Sequence, residues 1–325
     1  RDKSGFTGRP RIPGYAPRNG RKEIYFTNQT CVIKDGKLLK FPMTKETLNI
    51  GKLGAVGRLK EVRVLPRQDH YIVEVVLEKE TIQTPIMTDT PTHIGGIDLG
   101  LDNFAAIKTN SGLRPVLVKG NEIKAINQLY NKRRAKYQSL LKENQHDSRQ
   151  LRAITRKRND QVQDFLHKAS RFVVTYALHH RIDTLVVGKN EAMKQGINIG
   201  RRNNQGFVQL PHARFIDLLR YKCAEAGIRL TVTEESYTSK ASALDGDDLP
   251  VYSKTNEKPR FSGTRIHRGL YRSKDGTLVN ADVNGAANII RKVYPQALSA
   301  EGVAGLVTAP LVITRSILNG IPGLC

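Results

Sequence analysis

The sequence predicts an α/β chain in two parts, a small all-β unit followed by a larger domain built on one mixed sheet. Three observations carry this. Residues 21–90 hold short strand-like apolar runs broken by turn signals such as "KDG" and "RQD". From residue 93 three strand patterns come in succession, and two long patterns of period near 3.6 follow them. Beyond residue 184 strand and helix patterns alternate. A chain of 325 residues has room for about two domains and a sizeable core.

Residues 1–20 are rich in Gly, Pro and Arg without apolar periodicity, and read as a basic linker or extended arm. Residues 21–92 form the β-rich unit. "KEIYFTNQTCVIKDGKLLKFP" and "RLKEVRVLPRQDHYIVEVVLEKE" read as strands and hairpins, a small barrel-like domain incomplete at its front. Then "HIGGID", "NFAAIKTN" and "RPVLVKG" are three strands joined by the tight turns "LGLD" and "NSG", most simply an antiparallel meander. Ile123, Ile126, Tyr130, Tyr137 and Leu141 mark the first long helix. Ile154, Val162, Phe165, Ala169, Val173 and Tyr176 mark the second, with the polar turn "NQHDSR" between them. "TLVVGKN" is the fourth strand. A Gly- and Asn-rich loop leads to "HARFIDLLRYKCAEAG", an amphipathic helix ending at Gly227, and "IRLTVTEE" is the fifth strand. Residues 237–280 read as irregular and polar. "NADVNGAANIIRKVY" is a last helix with Val283, Ala287 and Ile290 on one stripe. Strand order β-β-β, helices, β, helix, β, helix is that of an RNase H-like domain with helical insertions, whose first strand lies at the centre of the sheet.

Charge bounds the partner. Lys and Arg number 53 against 30 acids, a net +23, and such a surplus repels itself in a compact protein. A polyanion is the natural partner. A generally basic soluble surface is the plainer alternative, and the basic stretches lack the apolar face that would insert into a membrane. The longest apolar-rich stretch, "GVAGLVTAPLVI", is too short to span a bilayer and is broken by Pro310. Cys31, Cys223 and Cys325 are scattered and without CxxC spacing, so neither a disulfide framework nor a cysteine zinc site follows, and a reducing intracellular setting fits.

"IGGIDLG" ends a buried strand on a carboxylate. An Asp at a strand end often caps a turn. The wider pattern points elsewhere. Asp98 is on the first strand, Glu191 lies just past the fourth, and Asp282 opens the final helix. In this strand order the first and fourth strands are neighbours, and the last helix crosses the same edge. Three convergent carboxylates repel one another and are driven toward protonation. Divalent Mg2+ (or Mn2+) reverses that, since hard oxygen ligands suit it, and two such ions clamp a scissile phosphate.

"GIDLGLDNFAA", "LVVGKNEAMKQ" and "NADVNGAANI" resemble the three RuvC motifs of the transposon-encoded TnpB (OrfB) family, relatives of the compact type V CRISPR effectors. "FTNQTCVIKDGKLLKFP", "DFLHKASRFVV" and "SYTSKAS" extend the resemblance over nearly the whole chain. It implies an RNA-guided DNA endonuclease. A guide RNA from the transposon end pairs with target DNA, and a single RuvC site hydrolyses phosphodiester bonds, with Asp98, Glu191 and Asp282 as catalytic acids and ligands of two Mg2+ or Mn2+ ions. It also implies a wedge (oligonucleotide-binding) domain at 21–92, a RuvC domain at 93–236 and 281–325, and a target-nucleic-acid-binding insertion at 237–280. A prokaryotic, nucleoid-associated location goes with it. A nuclease-inactive RNA-guided DNA-binding relative and a strand-transferring transposase are the alternatives; the three acids favour the nuclease.

Two departures stand out. Many members carry a CxxC…CxxC zinc ribbon before the last acid, whereas residues 237–280 contain no cysteine, so no zinc is expected and the zinc-less branch is the nearer match. "DGDD" reads as a solvated turn. The chain also begins at Arg1 and not at Met, near the linker that returns to the barrel, so a preceding helical lobe is expected to be missing and guide-directed cutting by these residues alone deficient.

Several weaker assignments complete the set. Arg133, Arg134, Arg156, Lys157 and Arg158 on the two long helices are candidate backbone contacts, with a solvated helix face as the alternative. Arg265 and Arg268 either grip DNA phosphates above the site or decorate a loop. His167 reads as a surface or packed histidine, and Asp102 as a turn residue. Asn284 and Asn288 either orient the site or pack the helix.

Overall fold

The computed structural model describes residues 20–67, 69–79, 90–189, 211–251, 259–267 and 269–321. The chain divides into two compact units, Arg1–Ile82 and Gln83–Cys325.

Among its described residues the first unit is built of strands, with one short 3-10 turn at Gly51–Ala55. β1 (Ile24–Thr27), β5 (Arg58–Pro66) and β6 (Tyr71–Glu78) form one antiparallel sheet, and β2 (Val32–Lys34), β3 (Leu38–Lys40) and β4 (Thr47–Asn49) form another. The predicted strands and hairpins are therefore present, as two three-stranded sheets. Asp35 and Gly36 both adopt positive φ at the centre of a tight turn closed by the Lys37 amide on the Lys34 carbonyl, which is why "KDG" turns the chain. Cys31, Leu39 and Val62 make a small core, with Phe26 and Phe41 packed edge-to-face beside it.

The second unit is built on a six-stranded mixed sheet. β7 (Ile94–Leu99), β8 (Asn103–Thr109) and β9 (Val116–Lys119) form the expected antiparallel meander. α1 (Asn121–Ser139) and α2 (Arg149–His179) follow, then β10 (Thr184–Lys189), α3 (His212–Ala226) and β11 (Arg229–Glu234). β10 lies parallel between β7 and β11, with Val187 opposite Ile97. Across these five strands the sheet order is β11-β10-β7-β8-β9, which puts the first and fourth strands of the domain side by side as the RNase H-like order requires. β15 (Leu311–Ile313) adds an edge strand parallel to β9 that sequence reading did not anticipate.

The termini of the helices follow local chemistry. The Ser148 hydroxyl accepts the Leu151 amide and starts α2. Gly227, at φ 70°, ends α3 in the left-handed conformation. Asn280 caps α4 (Ala281–Val293) by accepting from the Asp282 and Val283 amides. Two short helices, α5 (Ala300–Ala304) and α6 (Arg315–Gly320), come after the helix that the sequence marked as last.

Strand alternation divides the core into two layers. Ile97, Leu99, Leu185 and Val187 face one side, packed with Phe104, Phe165 and Phe215. Phe104 stands edge-on to both other rings. Ile94 and Val186 face the other side, against Ile289 and Ile290 of α4. Gly96 and Asp98 share that second face by the period of two. A methyl group at Gly96 would meet the Ala286 carbonyl at 2.1 Å, so α4 lies on β7 at a distance only glycine allows.

Residues 237–280 need correction. Their polar composition reads as irregular, but β12 (Thr264–His267), β13 (Leu270–Arg272) and β14 (Leu278–Asn280) form an antiparallel meander that runs straight into α4. Tyr271 and Val279 join Ala243, Val283 and Ala287 in a third cluster. Only these few apolar residues carry the packing, too few to show a periodicity in sequence.

Candidate active site

Asp98 is carried by the central strand and faces α4. A methyl group on Gly285 would come within 2.5 Å of its Oδ2, so the carboxylate lies directly on the helix where a side chain is absent. Burial is the largest influence on it, followed by the negative charges of Glu235 and Asp282. Together these push its pKa well above the usual carboxylate range, and Arg265 and the Leu99 amide oppose the rise only in part.

Asp282 sits in the first turn of α4, where the amide ends of the helix favour a negative side chain. Its Oδ2 accepts the Asn103 amide at 2.6 Å, and its Oδ1 lies 3.6 Å from an Arg265 guanidinium nitrogen. Arg265 reaches it because β12 pairs with β13, which in turn pairs with β14, the strand leading into Asp282. Lys119 donates to the Asn103 carbonyl oxygen at 2.8 Å.

A further glutamate, Glu235, lies at this site and was not singled out in the sequence. Glu235 follows the end of β11, one residue past the Lys189↔Glu234 pair. A methyl on Gly188 would lie 3.1 Å from its Oε2, so it leans across β10 on the face that carries Asp98. Burial pushes its pKa up to about 7. A signal existed. Leu230 and Val232 pack on the far face, so alternation puts Thr231, Thr233 and then Glu235 on the near one. Its neighbour Glu234 is paired instead with Lys292 and accepts the Ser236 amide. Glu191, the expected second acid, and Arg268 lie outside the described residues, as do the arm at 1–19 and Cys325.

Asn284 and Asn288 are buried on α4 and hold the segment after Glu235. Asn284 donates to the Ala241 carbonyl and accepts the Ala243 amide, and Asn288 donates to the Thr238 and Ala241 carbonyls. They bond backbone and not the acids. Asp102 pairs with Lys124 in the turn between β7 and β8. His167 bonds the Gln163 amide and is held below its ordinary pKa by burial and by Lys222, so it is a packed histidine.

The basic helices divide. Arg133, Arg134, Arg156 and Lys157 are exposed. Arg158 bonds Asn127 of α1 at 2.8 Å and lies over the Tyr130 ring, which commits it to joining the two helices. Among the described residues no group of three His, Cys, Asp or Glu stands close enough to hold an ion as it is, and no helix is long and apolar enough to cross a membrane. The donor chemistry nevertheless suits a hard divalent cation: three carboxylates supply only oxygen, and at Asp98 the charge of Arg265 offsets burial and the acidic neighbours only in part.

Residues 74–194 match the OrfB_IS605 family, described as a probable transposase, and residues 212–289 match the Cas12f1-like TNB domain. The chain is thus similar to the OrfB_IS605 family over residues 74–194 and to the Cas12f1-like TNB domain over residues 212–289. A search of curated proteins finds no match. Among solved structures, a Cas12f1–sgRNA–target DNA complex shares 15% identity over 85% of this chain and 68% of that one, with a TM-score of 0.43. A CRISPR-Cas12f ternary complex shares 19% over 71% of this chain and 45% of that one, at 0.45. The mini-RNA-guided endonuclease CRISPR-Cas_phi3 shares 13% over 82% and 55%, at 0.38. The chain therefore spans from under half to about two thirds of these proteins' lengths.

Proposed function

We propose that this chain is the nuclease portion of an RNA-guided DNA endonuclease, with Asp98, Asp282 and a glutamate as the acids of a single RuvC-type site. One observation carries the reading: in an RNase H-like strand order, Asp98 on the central strand shares its field with Asp282 and Glu235, brought from elements far apart in sequence. Acids crowded without a cation are costly to a fold, and such sites cluster where chemistry is done. The family match to OrfB_IS605 and the net charge of +23 fit the same reading.

Asp98, Asp282 and Glu235 would hold divalent Mg2+ or Mn2+, two ions in the simplest reading, and the metal would supply an activated water and charge for the leaving oxygen. The protein's own residues do the rest. Arg265, drawn toward Asp282, is placed to take a phosphate oxygen of the substrate. The exposed Arg133, Arg134, Arg156 and Lys157 would hold nucleic-acid backbone. The β-sheets of the first unit are read as the wedge, oligonucleotide-binding domain, and residues 237–280 as a target-binding insertion that works without zinc. Guide RNA and target DNA are the proposed partners, in a prokaryotic intracellular setting, with sequence read mainly by base pairing.

Sequencing the RNA that copurifies with the protein, then testing plasmid cleavage directed by it, checks this reading. RNA mapping to a transposon end and metal-dependent cutting are expected. Recovery of no specific RNA together with metal-independent cutting would overturn it. The second acid is tested beside it. Glu235→Gln is expected to reduce cutting by roughly 100-fold, as misplacement of about 1 Å already can. Equal loss in Glu191→Gln alone, with Glu235→Gln active, would return the role to the motif-matched glutamate.

A further inference from the structure

We propose that Asn103, braced by Lys119, is a positioning residue for Asp282, fixing which carboxylate oxygen is offered to a divalent cation; this rests on the nuclease-site reading above. Asn103 opens β8 and keeps only 7% of its surface exposed. It faces Lys119 of β9 directly in register. Both ends of its side-chain amide are engaged, the oxygen by Lys119 and the nitrogen by Asp282.

Those two partners leave the amide one orientation. An ammonium can only donate, so it must meet the amide oxygen. An ionised carboxylate can only accept, so it must meet the NH2 group. A reversed amide would set donor against donor at one end and acceptor against acceptor at the other. Asp282 Oδ2 is thereby tied to the sheet, while Oδ1 is turned toward Arg265, the positive group nearest it. A neutral amide suits this task. It holds the carboxylate by a hydrogen bond without neutralising it, and so leaves its charge for a cation. Lys119, half-buried one strand further from the site, strengthens that bond through the amide and stays clear of the oxygen that faces outward. Hydrogen-bond partners behind a ligand orient it in this manner in many metal sites.

A purely structural role would be to tie the start of α4 to β8. That role predicts loss of melting temperature with unchanged cation binding in whatever remains folded. The test is a titration of the full chain, stripped of nucleic acid in high salt, with Mn2+ alone, followed by electron paramagnetic resonance. Sites that vanish in Asp282→Ala define the centre. Asn103→Leu is expected to raise the half-saturating Mn2+ concentration of those sites by about tenfold or more, the usual cost of losing such a partner. Lys119→Met is expected to shift it in the same direction by less. Wild-type Mn2+ binding in Asn103→Leu, with the sites lost in Asp282→Ala, overturns the positioning role and leaves the nuclease site standing. Wild-type binding in Asp282→Ala overturns both. If Asn103→Leu does not fold, Lys119→Met decides by the same criterion.

Discussion

Two groups of carboxylates in this protein live under opposite conditions. On the face of the sheet that carries α4, Asp98 and Glu235 are pushed above their ordinary pKa values by burial, and Asp98 also by its acidic neighbours. In the insertion that follows β11, burial likewise raises Asp245, but the Ser242 hydroxyl, the Lys274 amide and the Ser262 hydroxyl outweigh it and hold the group low. Asp247 beside it accepts the Ser242 amide at 2.7 Å and the Ser262 amide at 3.1 Å. The insertion gives its acids donors, so they fasten loops together. Asp98 has only the Leu99 amide and the Arg265 charge to set against its burial and its acidic neighbours, and Glu235 is raised by burial. Residue type is the same in both places, and the supply of donors and positive charge separates acids held low from acids pushed up.

The sharpest way to break this contrast is at Asp98. Asp98→Ala is expected to cut plasmid at least about 100-fold more slowly. Its melting temperature without metal should hold or rise, because removing one of several like charges relieves repulsion. Asp98→Asn should behave alike, since an amide supplies no charge. A destabilised but active Asp98→Asn variant would restore the turn-cap reading and end the assignment.

Asp247→Ala is expected to do the reverse. Hydrogen bonds to a charged group contribute about 1.5–3 kcal/mol, so the melting temperature should fall by roughly 5 °C at about 2–4 °C per kcal/mol. Cutting per folded molecule should persist. Equal loss of cutting and of stability would show that the insertion's acids are not merely fasteners.

Glu235 sharpens the contrast through pH. Its folded pKa, about 7, lies above its ordinary value of 4.5, so the folded form binds the proton more tightly than the unfolded chain. The stability this confers is fully present below about pH 4.5 and is lost as pH rises through 7. Glu235→Gln should abolish that dependence. Without metal, its melting temperature should exceed wild type at pH 8 by several degrees, and the gap should close toward pH 5. A gap that widened toward acid would mean that Glu235 is held ionised.

The smallest expected effects concern the helices. Replacing Arg133 or Arg134 by Ala should reduce the salt dependence of nucleic-acid binding by about one unit of slope each. Arg158→Ala should chiefly lower stability, because its guanidinium is engaged with Asn127 and Asn159. A slope unchanged at Arg133 and Arg134 but reduced at Arg158 would reverse that division.

The sequence by itself determined much of the scaffold. Alternation marked β7, β8, β9, β10 and β11, the 3.6-residue period marked α1 through α4, and "GID" and "NAD" marked two carboxylates that the fold brings within one another's field. These are local signals, because a buried strand face or helix stripe must repeat along the chain. Only the tertiary structure decided what depends on a distant partner. β15 is a strand because β9 leaves an edge for it, and three residues are too few to announce themselves. The meander at 264–280 is held by Tyr271 and Val279 packing under α4. Arg158 is structural because Asn127 accepts it, though its neighbours Arg156 and Lys157 look the same in sequence. Of two adjacent glutamates, Glu234 meets Lys292 while Glu235 is buried across Gly188 within the field of Asp98. A polar side chain takes its role from the donors and charges that folding brings to it, and those come from segments the local sequence does not contain.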